Sequence, residues 1–225
     1  LNTLRGEGLK RLSMTSNAAQ LARHASALSQ AGLQDINISL DSLNPDQFQR
    51  LSRGRYGPAD VIAGIEAARS AGLGVKLNGV IIRGYNHDQI LPLLNFAATH
   101  AVELRFIEFM PLDDEALWSR DRVVSAADIL NTVGQFHAVE HLPEDGAPAR
   151  RYRLASGQQF GIIATVTQPF CARCDRLRIT ADGRLYTCLY GTDGMDLREL
   201  VRQPGGASNV VDVITKRWTT RNDRG

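Results

Sequence analysis

No apolar run in this sequence approaches the ~20 residues needed to cross a bilayer. The opening Leu-Asn-Thr-Leu-Arg-Gly-Glu has the character of neither a signal nor a transit peptide. No membrane partner is expected, and a cytoplasmic location is the default. An excess of one charge is also missing, since 26 basic residues stand against 24 acidic ones. That balance argues against nucleic acid as a partner and requires any anion site to be local. Cysteine is scarce and odd in number: all three lie between positions 171 and 188, which excludes a disulfide framework and points to a metal or cluster site. There is no internal repeat and no low-complexity segment. What is present, 225 residues with 43% hydrophobic content, suffices for one large α/β unit or one and a half domains.

Leu1 to Gly6 reads as the end of a helix rather than the start of a protein, and the residues after Trp218 carry no helix cap or packed terminal element. Truncation at both ends is the expectation.

Up to about residue 115, short apolar runs alternate with helical stretches, the pattern of β-α units around a parallel sheet or barrel. The expected strands are Leu9 to Thr15, Asp35 to Leu40, Val75 to Ile82 and Leu104 to Phe109. Ala18 to Gly32 and Ala59 to Gly72 have helical spacing and close on glycine, and Gln89 to His100 adds a third helix. Three strands end in polar or motif-like residues, at Thr15, Ser39 and Met110, and the other carries Lys76 and Asn78. In a parallel barrel the C-terminal strand ends form the active face. For any single Ser or Asn, capping and turn formation are equally good explanations.

After Pro111 the character changes. Asp113 to Arg122 is charged and loop-like, and Ser125 with Asp128 suggests a capped helix to Val133. Short strands follow at 151–154, 159–166, 177–180 and 185–187, with turns at Ser156-Gly157 and Asp182-Gly183. The simplest division is residues 1–118 as one domain and 119–225 as a smaller, β-rich domain around the cysteines.

Cys171-x2-Cys174, thirteen residues and Cys188 form the most specific feature. A C-x2-C turn presents two thiolates to one site, and a hairpin at Asp182-Gly183 would return the third. Structural zinc needs a fourth ligand; no Cys or His follows Cys188, and His137 and His141 sit across a long loop. A cubane cluster of four irons held by three cysteines would leave one iron free to bind something else. Arg176 and Arg178 lie two apart and should share a face, with Arg173 and Arg184 nearby. Paired guanidiniums suit phosphate, although without the cysteines an exposed salt-bridging pair would be the better reading. Lys76 interrupts an apolar strand, where an inward direction means a ligand. Met110 could serve as core filler or as the flexible wall of a cofactor site.

Taken together, Met14-Thr15-Ser16-Asn17, Asn37 to Leu43, Val75 to Val80, Ile107 to Pro111 and Phe170-Cys171-x2-Cys174-Asp175-Arg176-Leu177-Arg178 through Gly183 resemble the GTP 3′,8-cyclase family of radical S-adenosylmethionine enzymes, in order and spacing from residue 1 to about 218. The resemblance implies a partial (β/α)6 TIM-type barrel with a smaller C-terminal domain carrying an auxiliary 4Fe–4S cluster. It implies Cys171, Cys174 and Cys188 as cluster ligands; Thr15, Lys76, Arg176, Leu177 and Arg178 as GTP contacts; and Ser39 and Met110 as S-adenosylmethionine contacts. The reaction it implies converts GTP by radical chemistry to (8S)-3′,8-cyclo-7,8-dihydroguanosine 5′-triphosphate in molybdenum cofactor biosynthesis. A homodimer and hand-off of the product to cyclic pyranopterin monophosphate synthase are implied with it. The family's C-x3-C-x2-C loop and Gly-Gly-Glu-Pro segment would precede Leu1, and its Gly-Gly tail would follow the last residue; without the first cluster this chain is expected to be inactive alone. Another radical enzyme with an auxiliary cluster, or a zinc-stabilised binding domain, are the alternatives.

Overall fold

The computed structural model describes residues 9–52, 54, 56–112, 118–171 and 174–221. Its first half repeats one unit. Strand β1 (Ser13–Ser16) is followed by helix α1 (Leu21–Gln30), β2 (Asp35–Ser39) by α2 (Pro45–Ser52) and α3 (Pro58–Ser70), and β3 (Gly74–Ile81) by α4 (Ile90–Thr99), before β4 (Glu103–Glu108). These four strands pair in parallel and in order. The alternation read from the sequence is the cause: Ile36 and Ile38 on β2, Leu77 on β3, and Leu104 and Phe106 on β4 are fully buried, while the residues between them face the other way. The buried set joins Leu21 and Ala25 of α1, Val61 and Ile65 of α3, and Leu93 and Leu94 of α4 in one core. Each of the larger of these side chains contributes about 1.5–3 kcal/mol by leaving water. Helix α3 approaches the β1–α1 turn closely at Gly64, where a Cβ would meet the Ala18 carbonyl oxygen at 2.9 Å.

Helix α2 is short and mostly polar, with Phe48 buried on its one apolar face, and its start is marked by a cap. The Asn44 side-chain oxygen accepts from the backbone N–H groups of Asp46 and Gln47 at 3.0 and 3.1 Å, and Pro45 occupies the first turn. Helix α5 (Ala126–Gly134) has the expected capping box, with the Ser125 hydroxyl accepting from the Asp128 N–H at 3.1 Å and the Asp128 carboxylate accepting from the Ser125 N–H at 3.0 Å.

The expected domain division is redrawn. Strands β5 (Val139–His141), β6 (Arg150–Leu154) and β7 (Gln159–Ile163) do not form a separate domain with the cysteines; they complete a seven-stranded mixed sheet in the order β1-β2-β3-β4-β7-β6-β5. Phe160 and Ile162 of β7 bury against the same core as Phe106, and this apolar area makes β7 the parallel neighbour of β4. The compact units are accordingly Leu1–Pro169 and Phe170–Gly225. The second unit is also less β-rich than expected. It has a small antiparallel sheet of β8 (Arg178–Ile179), β9 (Arg184–Tyr186) and β10 (Met195–Asp196), and two helices, α6 (Arg198–Arg202) and α7 (Gly206–Thr219). Val210, Val213, Ile214, Arg217 and Trp218 are the half-buried positions of α7, a helical period that the loop-like look of the chain end conceals. No helix among the described residues is long and apolar enough to cross a membrane.

Candidate functional site

The face of the large sheet opposite the helices is polar and ordered in rows. Parallel register puts Thr15 beside Asn37, Asn37 beside Lys76 and Lys76 beside Glu103. Two residues along, Ser39 stands beside Asn78, Asn78 beside Arg105, and Arg105 beside Gly161, whose other neighbour is Arg151. Residues in register share a face. Thr15, Ser39, Lys76 and Asn78 therefore emerge on one face, and with them Arg105 and Arg151, which the sequence reading passed over. The signal for Arg105 was available: in Glu-Leu-Arg-Phe-Ile-Glu the apolar Leu104 and Phe106 face the core, so Arg105 faces the row of Lys76 and Asn78. Gly161 leaves room between the two arginines, since a Cβ there would stand 3.3 Å from Arg105 Cγ.

The Glu103 carboxylate serves two cations, Lys76 at 3.5 Å and Arg105 at 2.7 Å, and both cationic side chains are about a fifth exposed (23% and 22%). Arg11 pairs with Asp35 at 2.7 Å and Arg151 with Asp145 at 3.1 Å. Lys76, Arg105, Arg151, Glu103, Asp35 and Asn37 line a cavity of about 390 Å³. The buried amide oxygen of Asn78 has no partner among the described residues. Such a surface can exchange its own carboxylates for the oxygens of an anionic ligand, because guanidinium and ammonium donors bind phosphate at least as well. Met110 follows β4, half-buried, with its carbonyl accepting from Leu112 N–H at 2.9 Å. Residues 113–117 of the charged loop lie outside the described residues.

Beyond Ser39, the ends of β2 and β3 are joined by buried polar groups. The Asp41 carboxylate accepts from Val80 N–H at 2.8 Å. Dehydration pushes this carboxyl up from 3.8 to about 6, against the opposing effect of that hydrogen bond. An acid whose folded pKa is raised contributes most to stability below its unfolded pKa and loses that contribution as pH climbs toward the folded one. Relative to the parent, Asp41→Asn is expected to gain on the order of 2 kcal/mol of stability between pH 4 and pH 7. Urea unfolding of both proteins at the two pH values measures the difference; parallel profiles would mean that Asp41 is not dehydrated.

The cysteine unit begins with Cys171. Cys174 N–H donates to the Cys171 carbonyl at 3.1 Å, closing the expected turn. Antiparallel pairing of Arg178 with Tyr186 and Ile179 with Leu185 forms the expected hairpin, turned by Gly183 at φ 81°. All three cysteines are free and half-buried. Tyr190 lies near both ends of the motif: dehydration first, then the charges of Cys171 and Cys188, push its hydroxyl up. Cys174 moves the other way. Dehydration works against its thiolate, but the Arg176 backbone N–H, the Arg176 side chain and the charges of Arg176 and Arg178 outweigh it and hold the thiol below its ordinary value. Arg176 Nε reaches Cys174 Sγ at 3.4 Å, and its guanidinium lies over the Phe170 ring at 4.8 Å. Leu177 and Ile179 are exposed, at 39% and 60%, so Arg176 and Arg178 share the inner side as expected. Arg173 lies outside the described residues, and Arg184 is engaged with Asp182 and the Gly194 carbonyl. His141 packs at a tilt against Tyr152 in the large sheet, 5.2 Å between centroids. Among the described residues, no three His, Cys, Asp or Glu side chains are already gathered to hold a single metal ion.

Known proteins match this arrangement in two parts. Residues 1–97 match the Radical SAM superfamily. Residues 102–225 match the Molybdenum Cofactor Synthesis C family, and the chain belongs to that family. Curated relatives include GTP 3′,8-cyclase 3 of Mycobacterium bovis, 46% identical over 98% of this chain and 59% of its own length. The GTP 3′,8-cyclase of Streptomyces coelicolor is 46% identical over 85% of this chain and 57% of its own. That of Aquifex aeolicus is 40% identical over 97% and 66%. The chain thus spans about three-fifths of the length of these relatives.

Proposed function

We propose that this chain is the substrate-binding part of a GTP 3′,8-cyclase acting in molybdenum cofactor biosynthesis, with residues 1–169 as part of a radical S-adenosylmethionine barrel and 170–225 as its cysteine-bearing, GTP-binding unit. The observation that supports this reading is Arg176 Nε at 3.4 Å from the Cys174 thiol, with the charge of Arg178 also favouring the thiolate, a cationic setting that suits a phosphate-bearing ligand. Three free, half-buried thiols, one already disposed to ionise, are a donor set suited to iron and sulfide. Cys171, Cys174 and Cys188 would hold the auxiliary 4Fe–4S cluster. Such a cluster supplies one iron without a protein ligand, open to a donor atom of the substrate.

The remaining residues bind and orient. Arg176 and Arg178, with the Leu177 backbone between them, serve GTP, as do Thr15 and Lys76 on the polar sheet face, where Arg105 adds a second cation in the neighbouring row. Ser39, at the end of β2, and Met110, beyond β4, serve S-adenosylmethionine. The open polar face is read as the inner wall of the barrel. A cytoplasmic homodimer that passes its product to cyclic pyranopterin monophosphate synthase completes the reading.

Calorimetric titration of full-length, anaerobically prepared protein with GTP and with guanosine tests it. Since each charge-assisted contact to phosphate contributes on the order of 1.5–3 kcal/mol, guanosine should bind at least ~10-fold more weakly. Equal affinity for the two would overturn the phosphate assignment.

A further inference from the structure

Glu108 is a fully buried carboxylate, and the chemistry proposed above does not use it. It ends β4 on the core side, in phase with Leu104 and Phe106, where a lone charge would be strongly unfavourable. Four donors meet it. Oε1 accepts from Ala126 N–H at 2.9 Å, at the start of α5, and from the Thr167 hydroxyl; Oε2 accepts from Val166 and Thr167 N–H, both at 2.8 Å. Four donors match the acceptor capacity of an ionised carboxylate, so the group is fully satisfied. Three of the four come from one short segment, the turn after β7. Ala164 anchors the start of that segment in the core; beyond it, among the described residues, Gln168 N–H reaches Ala164 O at 3.3 Å, the Gln168 side chain meets Arg150, and the buried Thr165 hydroxyl has no partner. In chain order, Pro169 and Phe170 then lead directly to Cys171.

We infer that Glu108 is a positioning residue: it fixes the 164–169 strap through which the chain enters the cysteine loop, and so preorganises Cys171 for cluster binding. The inference rests on the cysteine site proposed above. Glutamine would keep the volume but turn an NH2 group toward backbone N–H donors, so two donors would lose their acceptor. Thr167→Val removes only the hydroxyl donor at nearly constant shape, and Thr167→Ser restores it.

The test uses the full-length protein reconstituted anaerobically with iron and sulfide, read in two ways. Amide exchange of peptides covering 164–171 should speed up at least ~10-fold in Glu108→Gln and less in Thr167→Val, and should be unchanged in Thr167→Ser. The electron paramagnetic resonance signal of the auxiliary cluster should broaden or fall in the same order, while S-adenosylmethionine cleavage at the first cluster continues. If Glu108→Gln fails to fold, the Thr167 pair decides alone. Unchanged exchange, or faster exchange with an unaltered auxiliary signal, overturns the inference. A parent protein that takes up no second cluster instead overturns the proposed function, an outcome distinguishable because the parent itself shows it.

Discussion

Replacing Arg178 by alanine in the full-length protein is expected to weaken GTP binding by ~1.5–3 kcal/mol, a rise in Kd of roughly 10- to 150-fold. One guanidinium nitrogen of Arg178 is buried without a partner among the described residues, while its charge already reaches Cys174. A cation held in that state gains fully from an anionic ligand, because its own desolvation has already been met in folding. Arg176 should give a similar loss, although its guanidinium also packs over Phe170, and alanine there forfeits that contact as well. Lysine at either position should restore only part of the affinity, since an ammonium keeps the charge but not the bidentate fork. Calorimetry of the four variants reads this directly. Unchanged affinity in both alanine variants would remove the arginines from the site.

Asn86→Ala should cost stability on the order of 3–5 kcal/mol. The Asn86 side chain is fully buried and uses every polar atom: Nδ2 donates to the Asp41 and Val80 carbonyls at 2.7 and 2.8 Å, and Oδ1 accepts from Ile82 N–H at 2.7 Å. Alanine strands all three backbone groups in a dry interior, which is worse than never having buried them. These bonds also knit the end of β2, just past Ser39, to the end of β3. Affinity for S-adenosylmethionine should therefore fall with stability, and chemical denaturation paired with a binding isotherm checks both. A loss below ~1 kcal/mol would show that the knot is replaceable by water.

The parallel core was legible in the sequence because two rules act locally. Alternation at Ile36 and Ile38, or at Leu104 and Phe106, decides which face is buried, and the cap at Ser125 decides where a helix starts. Where β6 and β7 attach was not legible. Their own pattern permits a separate small sheet; only the apolar fit of Phe160 and Ile162 against Phe106 selects the large one, and that fit is a long-range property. The site divides in the same way. The cysteine spacing and the adjacent arginines are contiguous in sequence, so they were visible. Arg105 and Arg151 become neighbours of Lys76 only through register across four strands. Glu108 escaped notice for the opposite reason: a glutamate at a strand end normally faces water, and its four donors come from segments 18 and 58–59 residues away.

The most direct measurement compares iron and acid-labile sulfide in the full-length protein with the same protein carrying Cys171→Ser, Cys174→Ser and Cys188→Ser, after anaerobic reconstitution. If these thiols hold a cubane cluster, the variant should contain about four fewer irons per chain and lose the spectral change that GTP causes in the parent. Equal iron in both proteins, with about one zinc per chain in the parent alone, would contradict the account.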